Sequence, residues 1–213
     1  KLAAPFLQID RLQGEYAGGR WIFATFRGTI TPQGIRAMAE SATDEACELS
    51  ARSTFACYHD GELPSFTIQV RCPGGSVDEF VKEHCQLDIR NDHGKVIERL
   101  PVRLTGTGAV ATGVVGMTQS GQHRLLPGFY EVEVESRVRS SFSDRLRTIH
   151  LTIGFWVFDA HLMMSGKPLT TDNNYLLRDG EPYPVTGTTY MASDVHRKFL
   201  FEANPYIWQK DFL

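Results

Sequence analysis

The sequence predicts a mainly β protein, built as an antiparallel β-sandwich with one short helix and followed by a hairpin. Several runs alternate apolar and polar residues with a period of two, which is the pattern of half-buried strands. Gly, Pro, Asn and Asp separate these runs at short intervals, as in sandwiches whose strands are joined by tight turns.

The clearest alternation runs from residue 129 to residue 138. Tyr130, Val132, Val134 and Val138 are apolar, and glutamates and an arginine lie between them. One face of this strand is therefore predicted to be buried and the other to be wet. Further strands are predicted over residues 21–27, 66–71, 85–90, 95–104 and 149–158.

Two connections carry recognisable turn chemistry. Residues 91–94, Asn-Asp-His-Gly, predict a hairpin, because these residue types tolerate left-handed backbone angles. Residues 106–121 contain five glycines and show little periodicity. They predict a loop or a glycine-weakened edge strand, since the helix start and third glycine of a dinucleotide-binding motif are missing.

One segment breaks the period of two. Thr31 is a good N-cap, and Pro32 suits the first position of a helix. Ile35, Met38 and Ala42 follow at helical spacing, which predicts a short helix over residues 32–46.

Composition excludes some functions. The chain has 213 residues and a formal net charge of -3, without a block of Lys and Arg. This gives no electrostatic footprint for nucleic acid. No apolar run reaches the roughly 18 residues that span a bilayer, so no membrane span is predicted. Periplasmic, secreted and cytoplasmic locations are all compatible with these features.

Cysteine usage leaves one question open. Cys47, Cys57, Cys72 and Cys85 form no C-x-x-C pair, so a zinc ribbon or thioredoxin-type site is not expected. Free, partly buried thiols are favoured. Disulfides remain an alternative in an exported protein, because neighbouring strands can bring such positions together.

Other polar clusters are interpreted as structural. Residues 57–60, Cys-Tyr-His-Asp, point to alternating faces if they form a strand, so they do not make a triad by themselves. The carboxylates of residues 78–83 fit the wet face of a short amphipathic turn. Trp21, Tyr58 and Trp156 could stack on a sugar ring, but core packing is favoured for all three.

The character of the chain changes near residue 160. Asp179-Gly180 predicts a hairpin turn, and a strand is predicted over residues 183–190. Asn204 and Pro205 then predict the start of a helix, in which Trp208 and Phe212 share one face.

This C-terminal segment resembles the entry to the catalytic barrel of clan A glycoside hydrolases, especially β-galactosidase-like retaining enzymes. In those chains an Asp-Gly hairpin introduces the first barrel strand, which carries Gly-x-x-Tyr, and the first barrel helix begins near Trp-x-x-Asp. Gly187, Tyr190, Trp208 and Asp211 occupy these places. The resemblance covers about residues 172–213.

The resemblance implies an accessory β-sandwich over residues 1–160, then a bridging hairpin and the first βα unit of a (β/α)8 barrel over 161–213. It implies a role in a retaining glycoside hydrolase acting on β-linked glycans, without cofactor or metal. The two catalytic carboxylates of such enzymes, about 5 Å apart, would be outside this chain, so its partners would be carbohydrate and the rest of the barrel, in the same or a companion chain. Substrate-side residues would be Tyr190, Asp194, His196 and Arg197, with Ser193 beside them.

A second interpretation requires no barrel. Residues 126–130, Leu-Pro-Gly-Phe-Tyr, followed by an alternating strand, are common in immunoglobulin-like modules, and a jelly-roll sandwich is a further alternative for the fold. The chain would then be a non-catalytic carbohydrate-binding or structural module, such as a macroglobulin-like surface module. This interpretation predicts that residues 184–213 pack back on the sandwich, whereas the barrel interpretation predicts exposed apolar faces at Val185, Trp208 and Phe212.

Overall fold

The computed structural model describes residues 6–25, 28–118, 125–139, 146–187 and 204–212, and the protein is mainly β. In the described residues the strands are β1 (Phe6–Asp10), β2 (Arg20–Ala24), β3 (Glu48–Ser53), β4 (Cys57–Tyr58), β5 (Ser65–Arg71), β6 (Cys85–Arg90), β7 (Val96–Val102), β8 (Val110–Gly116), β9 (Gly128–Arg139), β10 (Leu146–Val157), β11 (Leu169–Thr171), β12 (Leu176–Arg178) and β13 (Glu181–Pro182). The helices are α1 (Pro32–Ala42), α2 (Glu79–Glu83), α3 (Ala160–Ser165) and α4 (Pro205–Asp211).

Two sheets enclose the main core. One has the strand order β4-β10-β9-β6-β7, and the other has the order β3-β5-β8. All pairings in them are antiparallel except that of β4 with β10, which is parallel. Among the described residues no sheet closes into a barrel. Two smaller sheets, β1-β2 and β11-β12-β13, lie outside this pair.

The alternation seen in the sequence builds the core. Every second residue of β5, β6, β9 and β10 points between the two sheets, and its neighbours point outward. Burial of each such aliphatic or aromatic side chain stabilises the fold by about 1.5–3 kcal/mol before entropy is counted. The largest fully buried side chains include Phe66, Phe155, Ile68, Leu87, Ile89, Val132 and Val134.

The strongest strand predictions are confirmed. The run at 129–138 is the centre of β9, which pairs along its whole length with β10. Residues 91–94 form the predicted turn between β6 and β7. The glycine-rich stretch contains β8, which lies at the edge of the three-stranded sheet, so the edge-strand alternative is correct there.

The entry into β9 is fixed by a turn and a tyrosine. Gly128 has a φ of +144°, a backbone angle that other residues rarely adopt. The Tyr130 hydroxyl then donates a hydrogen bond to the carbonyl oxygen of Leu126 at 2.8 Å. The ring of Tyr130 stacks on Phe155 in the core. This arrangement places the start of β9 against the core.

The described residues contain four helices: α1 and α4 form where helices were predicted, whereas α2 and α3 were not predicted. The first helix begins as predicted, with Thr31 accepting a hydrogen bond from the Gly34 amide. It ends at Ala42 rather than at 46. The Thr43 hydroxyl donates a hydrogen bond to the carbonyl oxygen of Glu40 in the last turn, and the Ala46 amide donates to the carbonyl oxygen of Gly18, outside the helix. Tertiary contact therefore overrides the helical spacing of the alanines.

The N-terminal part forms its own unit beside the sandwich. Strands β1 and β2 make a hairpin that contacts α1. Of the strand predicted over 21–27, the part up to Ala24 forms β2, and residues 26–27 lie outside the described residues. Arg20 and Asp10 pair across the hairpin at 2.6 Å. The loop between these strands touches the sandwich at Gly18, where a side chain would meet the backbone of Gly74.

The C-terminal part of the described chain begins with α3 and the sheet β11-β12-β13. Asp179, at φ +56°, and Gly180, at φ +83°, form the predicted hairpin turn between β12 and β13. Residues 183–187 lie in no strand, and the rest of the strand predicted over 183–190 lies outside the described residues. The described helices are all too short or too polar to cross a bilayer.

Candidate functional site

The predicted substrate-side residues lie in a part of the chain that the structure does not describe. Tyr190, Asp194, His196 and Arg197, with Ser193, fall between residues 188 and 203. Their roles therefore stay predictions. The chain is described again from Asn204, and it is there that a cleft is found.

Asn204 attaches α4 to the sandwich. Its side-chain oxygen accepts a hydrogen bond from the Tyr206 amide at 3.1 Å, which caps the helix as predicted. Its side-chain nitrogen donates to the carbonyl oxygen of Thr152 in β10 at 2.8 Å. Pro205 is buried at the first helical position. One residue thus caps the helix and holds it against the sheet.

The packing of α4 bears on the two interpretations of the C-terminal segment. Trp208 is half-buried, and its Nε1 is inaccessible to solvent with no acceptor in the described residues. Val185 and Phe212, in contrast, are about two-thirds exposed, at 66% and 69%. The start of the helix therefore packs on the sandwich while its end remains open.

A cleft of about 360 Å³ lies where β3, β10 and the start of α4 meet. This volume is within the range of small-ligand sites, about 300–1,000 Å³. Among the described residues, the lining contains one guanidinium, several hydroxyls and an amide, and no carboxylate. The lining residues are Ala51, Arg52, Ser53, Thr54, Phe55, Ala56, Thr67, Ile153, Gly154, Asn204 and Pro205.

Tyr58 is buried behind one wall of the cleft and forms hydrogen bonds with two residues of that wall. It is 2% exposed, and its hydroxyl lies 2.7 Å from the Ser53 hydroxyl and 3.2 Å from the Phe55 amide nitrogen, which donates to it. These bonds fix the backbone where the chain passes from β3 to β4. The Phe55 ring meets the Tyr58 ring edge to face at 5.7 Å. Phe55 nevertheless remains 58% exposed, so much of its ring faces solvent.

Arg52 and Thr67 lie opposite each other on the neighbouring strands β3 and β5. Arg52 is exposed and forms no ion pair with any residue in the described ranges. Its guanidinium offers five N–H donors, and the hydroxyl of Thr67 can donate or accept. The cleft therefore presents an uncommitted donor group beside an exposed aromatic ring.

A second recess, of about 250 Å³, lies on the outer face of the five-stranded sheet. Here Arg99 binds both oxygens of Asp88, at 2.9 and 2.8 Å, and Gln86 donates to the same carboxylate at 3.0 Å. The hydrogen bond from Arg99 lowers the pKa of Asp88, so this group is ionised and is not a general acid. Arg90 pairs with Glu133 at 3.0 Å beside it. These charges neutralise one another, which indicates a structural role.

The polar clusters set aside in the sequence are structural here too. The side chain of Asp78 caps α2, and Glu79 pairs with Lys82. His59 packs on Phe158, and burial raises the pKa of the Cys57 thiol, with Glu62 adding to the effect. In the ranges that the structure describes, no three His, Cys, Asp or Glu side chains are grouped to hold a metal ion.

The three aromatic residues considered for stacking differ in exposure. Tyr58 is in the core, as favoured from the sequence. Trp21 is 53% exposed on the N-terminal hairpin, and Trp156 is 37% exposed against Phe129, so core packing is wrong for Trp21 and incomplete for Trp156. Phe55 was not singled out by the sequence. The sequence feature that could have indicated Phe55 is its position as an aromatic residue in the short connection between β3 and β4.

Comparisons with known proteins do not assign a family. No protein-family model matches the chain, and no curated protein matches it. Among solved structures, a DUF4785 family protein from Legionella pneumophila has 12% sequence identity and a TM-score of 0.35, over 52% of this chain and 28% of that one. The major subunit of aggregative adherence fimbriae type I from Escherichia coli, AggA, has 11% identity and a TM-score of 0.29, over 53% of this chain and 96% of that one.

A β-glucosidase from Listeria innocua, solved in complex with gluconolactone, has 14% identity and a TM-score of 0.28, over 54% of this chain and 17% of that one. The matched region spans little more than a quarter of the Legionella protein and less of the Listeria enzyme. These scores are too low to establish a common fold, and no activity or partner is transferred from any of the three proteins.

Proposed function

We propose that this chain is a non-catalytic, immunoglobulin-like module that binds carbohydrate in the cleft between β3, β10 and α4. The observation that carries the proposal is the pairing of an exposed aromatic ring with a cleft whose described lining supplies hydroxyls and a guanidinium but no carboxylate. Hydrolysis of a glycosidic bond ordinarily requires two carboxyl groups at the bond. Binding requires only an apolar platform and hydrogen-bonding groups.

The immunoglobulin-like assignment rests on strand order. In such domains strands A, B and E lie in one sheet, and strands C, F and G lie in the other. Counting along the chain, β3, β5 and β8 take the places of A, B and E, while β6, β9 and β10 take those of C, F and G. The Tyr130 hydrogen bond to Leu126 has the form of the tyrosine corner of these domains.

The chemistry of the cleft suits a pyranose. The apolar face of a sugar ring can lie on the exposed side of Phe55, where contact removes apolar surface of both from water. Sugar hydroxyls can accept hydrogen bonds from the Arg52 guanidinium. They can either donate a hydrogen bond to the Thr67 hydroxyl or accept one from it. Tyr58 holds the Phe55 backbone in place, so the platform is ordered before a ligand arrives.

The test is titration calorimetry of the purified chain with soluble β-linked gluco- and galacto-oligosaccharides. We expect Phe55→Ala and Arg52→Ala each to weaken binding by about tenfold, from the lost stacking and hydrogen bonds. The matched control is Trp21→Ala, which removes an exposed aromatic outside the cleft. Absence of binding to every oligosaccharide, or equal loss in the control, contradicts the proposal.

A second candidate is the accessory part of a retaining glycoside hydrolase, acting beside a catalytic barrel on β-linked glycans. It is supported by the Asp179–Gly180 turn and the Asn204 cap, which form where the resemblance expects a hairpin and a helix. The purified chain should then not hydrolyse aryl β-glycosides. Turnover by the chain alone, abolished by a substitution within it, would overturn this division of labour.

A further inference from the structure

Cys47 and Cys72 lie on neighbouring strand ends at opposed positions. The last paired residues of β3 and β5 are Glu48 and Arg71, and these two cysteines are one step beyond them. The register of the β3–β5 pairing therefore makes Cys47 and Cys72 cross-strand neighbours. Cys72 is 4% exposed and Cys47 is half-buried, so solvent reaches the pair from the Cys47 side.

The backbone pattern places this pair in the geometry that brings side chains closest. The amide of Cys72 donates to Ala109, on the side away from Cys47, at 2.8 Å. Cys47 and Cys72 are therefore a non-hydrogen-bonded pair, in which Cα atoms are about 4.5 Å apart. Disulfides span Cα separations of about 4.4–6.8 Å, so the strands need little adjustment.

The surroundings distinguish the two thiols. Contact with Cys72 and the nearby Arg147 guanidinium lower the pKa of Cys47, against the effect of burial. The same contact and burial raise the pKa of Cys72. The more accessible thiol is thus also the more easily ionised one, which is the form that attacks disulfides. Arg147 is held there by donating a hydrogen bond to the carbonyl of Glu45.

We propose that Cys47 and Cys72 form a reversible disulfide that fastens the N-terminal hairpin and helix to the sandwich. Residues 45–47 connect these two parts, and the amide of Ala46 donates to Gly18 in the hairpin loop at 3.0 Å. The Glu45 carboxylate lies against Gly75 in the turn after Cys72. The disulfide would link residues 45–47, which lead from the N-terminal unit into β3, covalently to the start of the turn that follows β5.

The oxidant is a low-molecular-weight disulfide such as oxidised glutathione. The Cys47 thiolate attacks one of its sulfurs, the glutathione S–S bond breaks, and one glutathione thiolate leaves. The Cys72 sulfur then attacks the Cys47 sulfur, the bond from Cys47 to glutathione breaks, and the departing glutathione takes up the Cys72 proton through solvent and leaves as a thiol. Two protein thiols are oxidised, and one oxidised glutathione is reduced to two thiols. The reverse sequence, with excess reduced glutathione, opens the bond.

The other two cysteines serve as internal controls. Burial raises the pKa of Cys85 to about 11, and Cys85 is 3% exposed, opposite Ser136 of the neighbouring strand β9. Cys57 is exposed, but at the parallel pairing of β4 with β10 it is opposite Trp156. Each of these two cysteines lacks an opposed cysteine in the ladder, so neither is expected to close a bond within the chain.

The experiment equilibrates the purified chain in glutathione mixtures of increasing oxidised fraction, followed by alkylation under denaturing conditions and peptide mass mapping. We expect Cys47 and Cys72 to lose reactivity together, with a linked peptide lighter by the two thiol hydrogens, while Cys57 and Cys85 stay alkylated. The oxidised form should unfold at a temperature higher by roughly 5–10 °C. Addition of dithiothreitol should abolish this shift.

Two double variants complete the test. C57S/C85S should keep the linked peptide and the temperature shift, and C47S/C72S should lose both while retaining the circular dichroism of a β protein. Four free thiols in the wild-type chain at every oxidised fraction would overturn the proposal, as would a bridge that includes Cys57 or Cys85. Glutathione retained on Cys47 without ring closure would also contradict it. The wild-type result stands whether or not the variants fold.

Discussion

The hydroxyl of Tyr130 donates a hydrogen bond to the carbonyl oxygen of Leu126, four residues earlier, at 2.8 Å. This bond ties the turn before β9 to the aromatic layer of the core, because the Tyr130 ring stacks on Phe155 with 5.2 Å between ring centres. The strand that pairs with both β6 and β10 is therefore held at its first residues.

Tyr130→Phe removes only this hydroxyl and leaves the ring in the core. The Leu126 carbonyl loses its donor, so we expect the free energy of unfolding to fall by about 1–1.5 kcal/mol. Chemical denaturation followed by circular dichroism measures the change. Tyr175→Phe, at a residue 60% exposed, is the matched control and should be nearly neutral. Equal stability of the wild type and Tyr130→Phe would contradict the role assigned to the bond.

Asp88→Asn tests the charge network on the outer face. The substitution removes the ionised acceptor of Arg99 and should destabilise the fold by about 1 kcal/mol near neutral pH. Folding lowers the Asp88 pKa, mainly through the bond from Arg99. Its contribution is therefore fully present above the ordinary Asp value of about 3.9 and is lost as pH falls through the lowered folded value.

Urea unfolding at a series of pH values measures this dependence. The stability difference between the wild type and Asp88→Asn should shrink as pH falls below about 4. Asp92→Asn, in the exposed turn between β6 and β7, is the control and should show a smaller difference throughout. A difference that stays constant down to the most acidic folded sample would rule out ionised Asp88 as its source.

Asn204→Ala should release α4 from the sandwich. It removes both the helix cap and the bond to Thr152, and loss of a cap alone costs about 1 kcal/mol. In a background with Trp21 and Trp156 replaced by Phe, Trp208 is the remaining tryptophan, and acrylamide should quench it more strongly in the variant. Phe212→Ala, at the exposed end of the helix, should leave quenching unchanged. Unchanged quenching in Asn204→Ala would show that other contacts hold α4.

Gly113→Ala and Gly116→Ala compare two glycines of the same strand, β8. A Cβ on Gly113 would be 2.8 Å from the Arg103 carbonyl oxygen and 2.9 Å from a Val102 methyl, whereas one on Gly116 would be at an ordinary 3.5 Å from Ser65. We expect Gly113→Ala to cost about 1–3 kcal/mol and Gly116→Ala to be near neutral. Thermal unfolding measures the loss of stability in each variant. A similar loss in both variants would contradict the close packing of β8 around Gly113.

Periodicity in the sequence predicted the elements whose burial is regular. Strands β9 and β10 have one buried face, and each extends one to three residues beyond the main prediction at its start. Strand β4 has only two residues, Cys57 and Tyr58, which is too few to show a period. The end of α1 was mispredicted because its alanines suit a helix, while the contact of Ala46 with Gly18 joins residues far apart in sequence.

The cleft was less predictable than the strands. Its walls come from residues 51–56, Thr67, residues 153–154 and the start of α4, so no continuous stretch carries its chemistry. The helix cap at Asn204 was predicted from local residue types, but its bond to Thr152 depends on how the helix packs. Phe55 had the size for a binding platform, but only the fold shows which of the described phenylalanines remain exposed beside a cleft.

The parallel pairing of β4 with β10 has a mechanical consequence. The chain enters the five-stranded sheet at β4 and leaves it at β10, and the Trp156 and Phe158 amides donate to Ala56 and Tyr58 across this pairing. Tension applied at the two ends of the sandwich would load these bonds in shear, so that they must break together rather than one after another. The shortest strand pairing in the sandwich is therefore a place where the bonds resist a pulling force together.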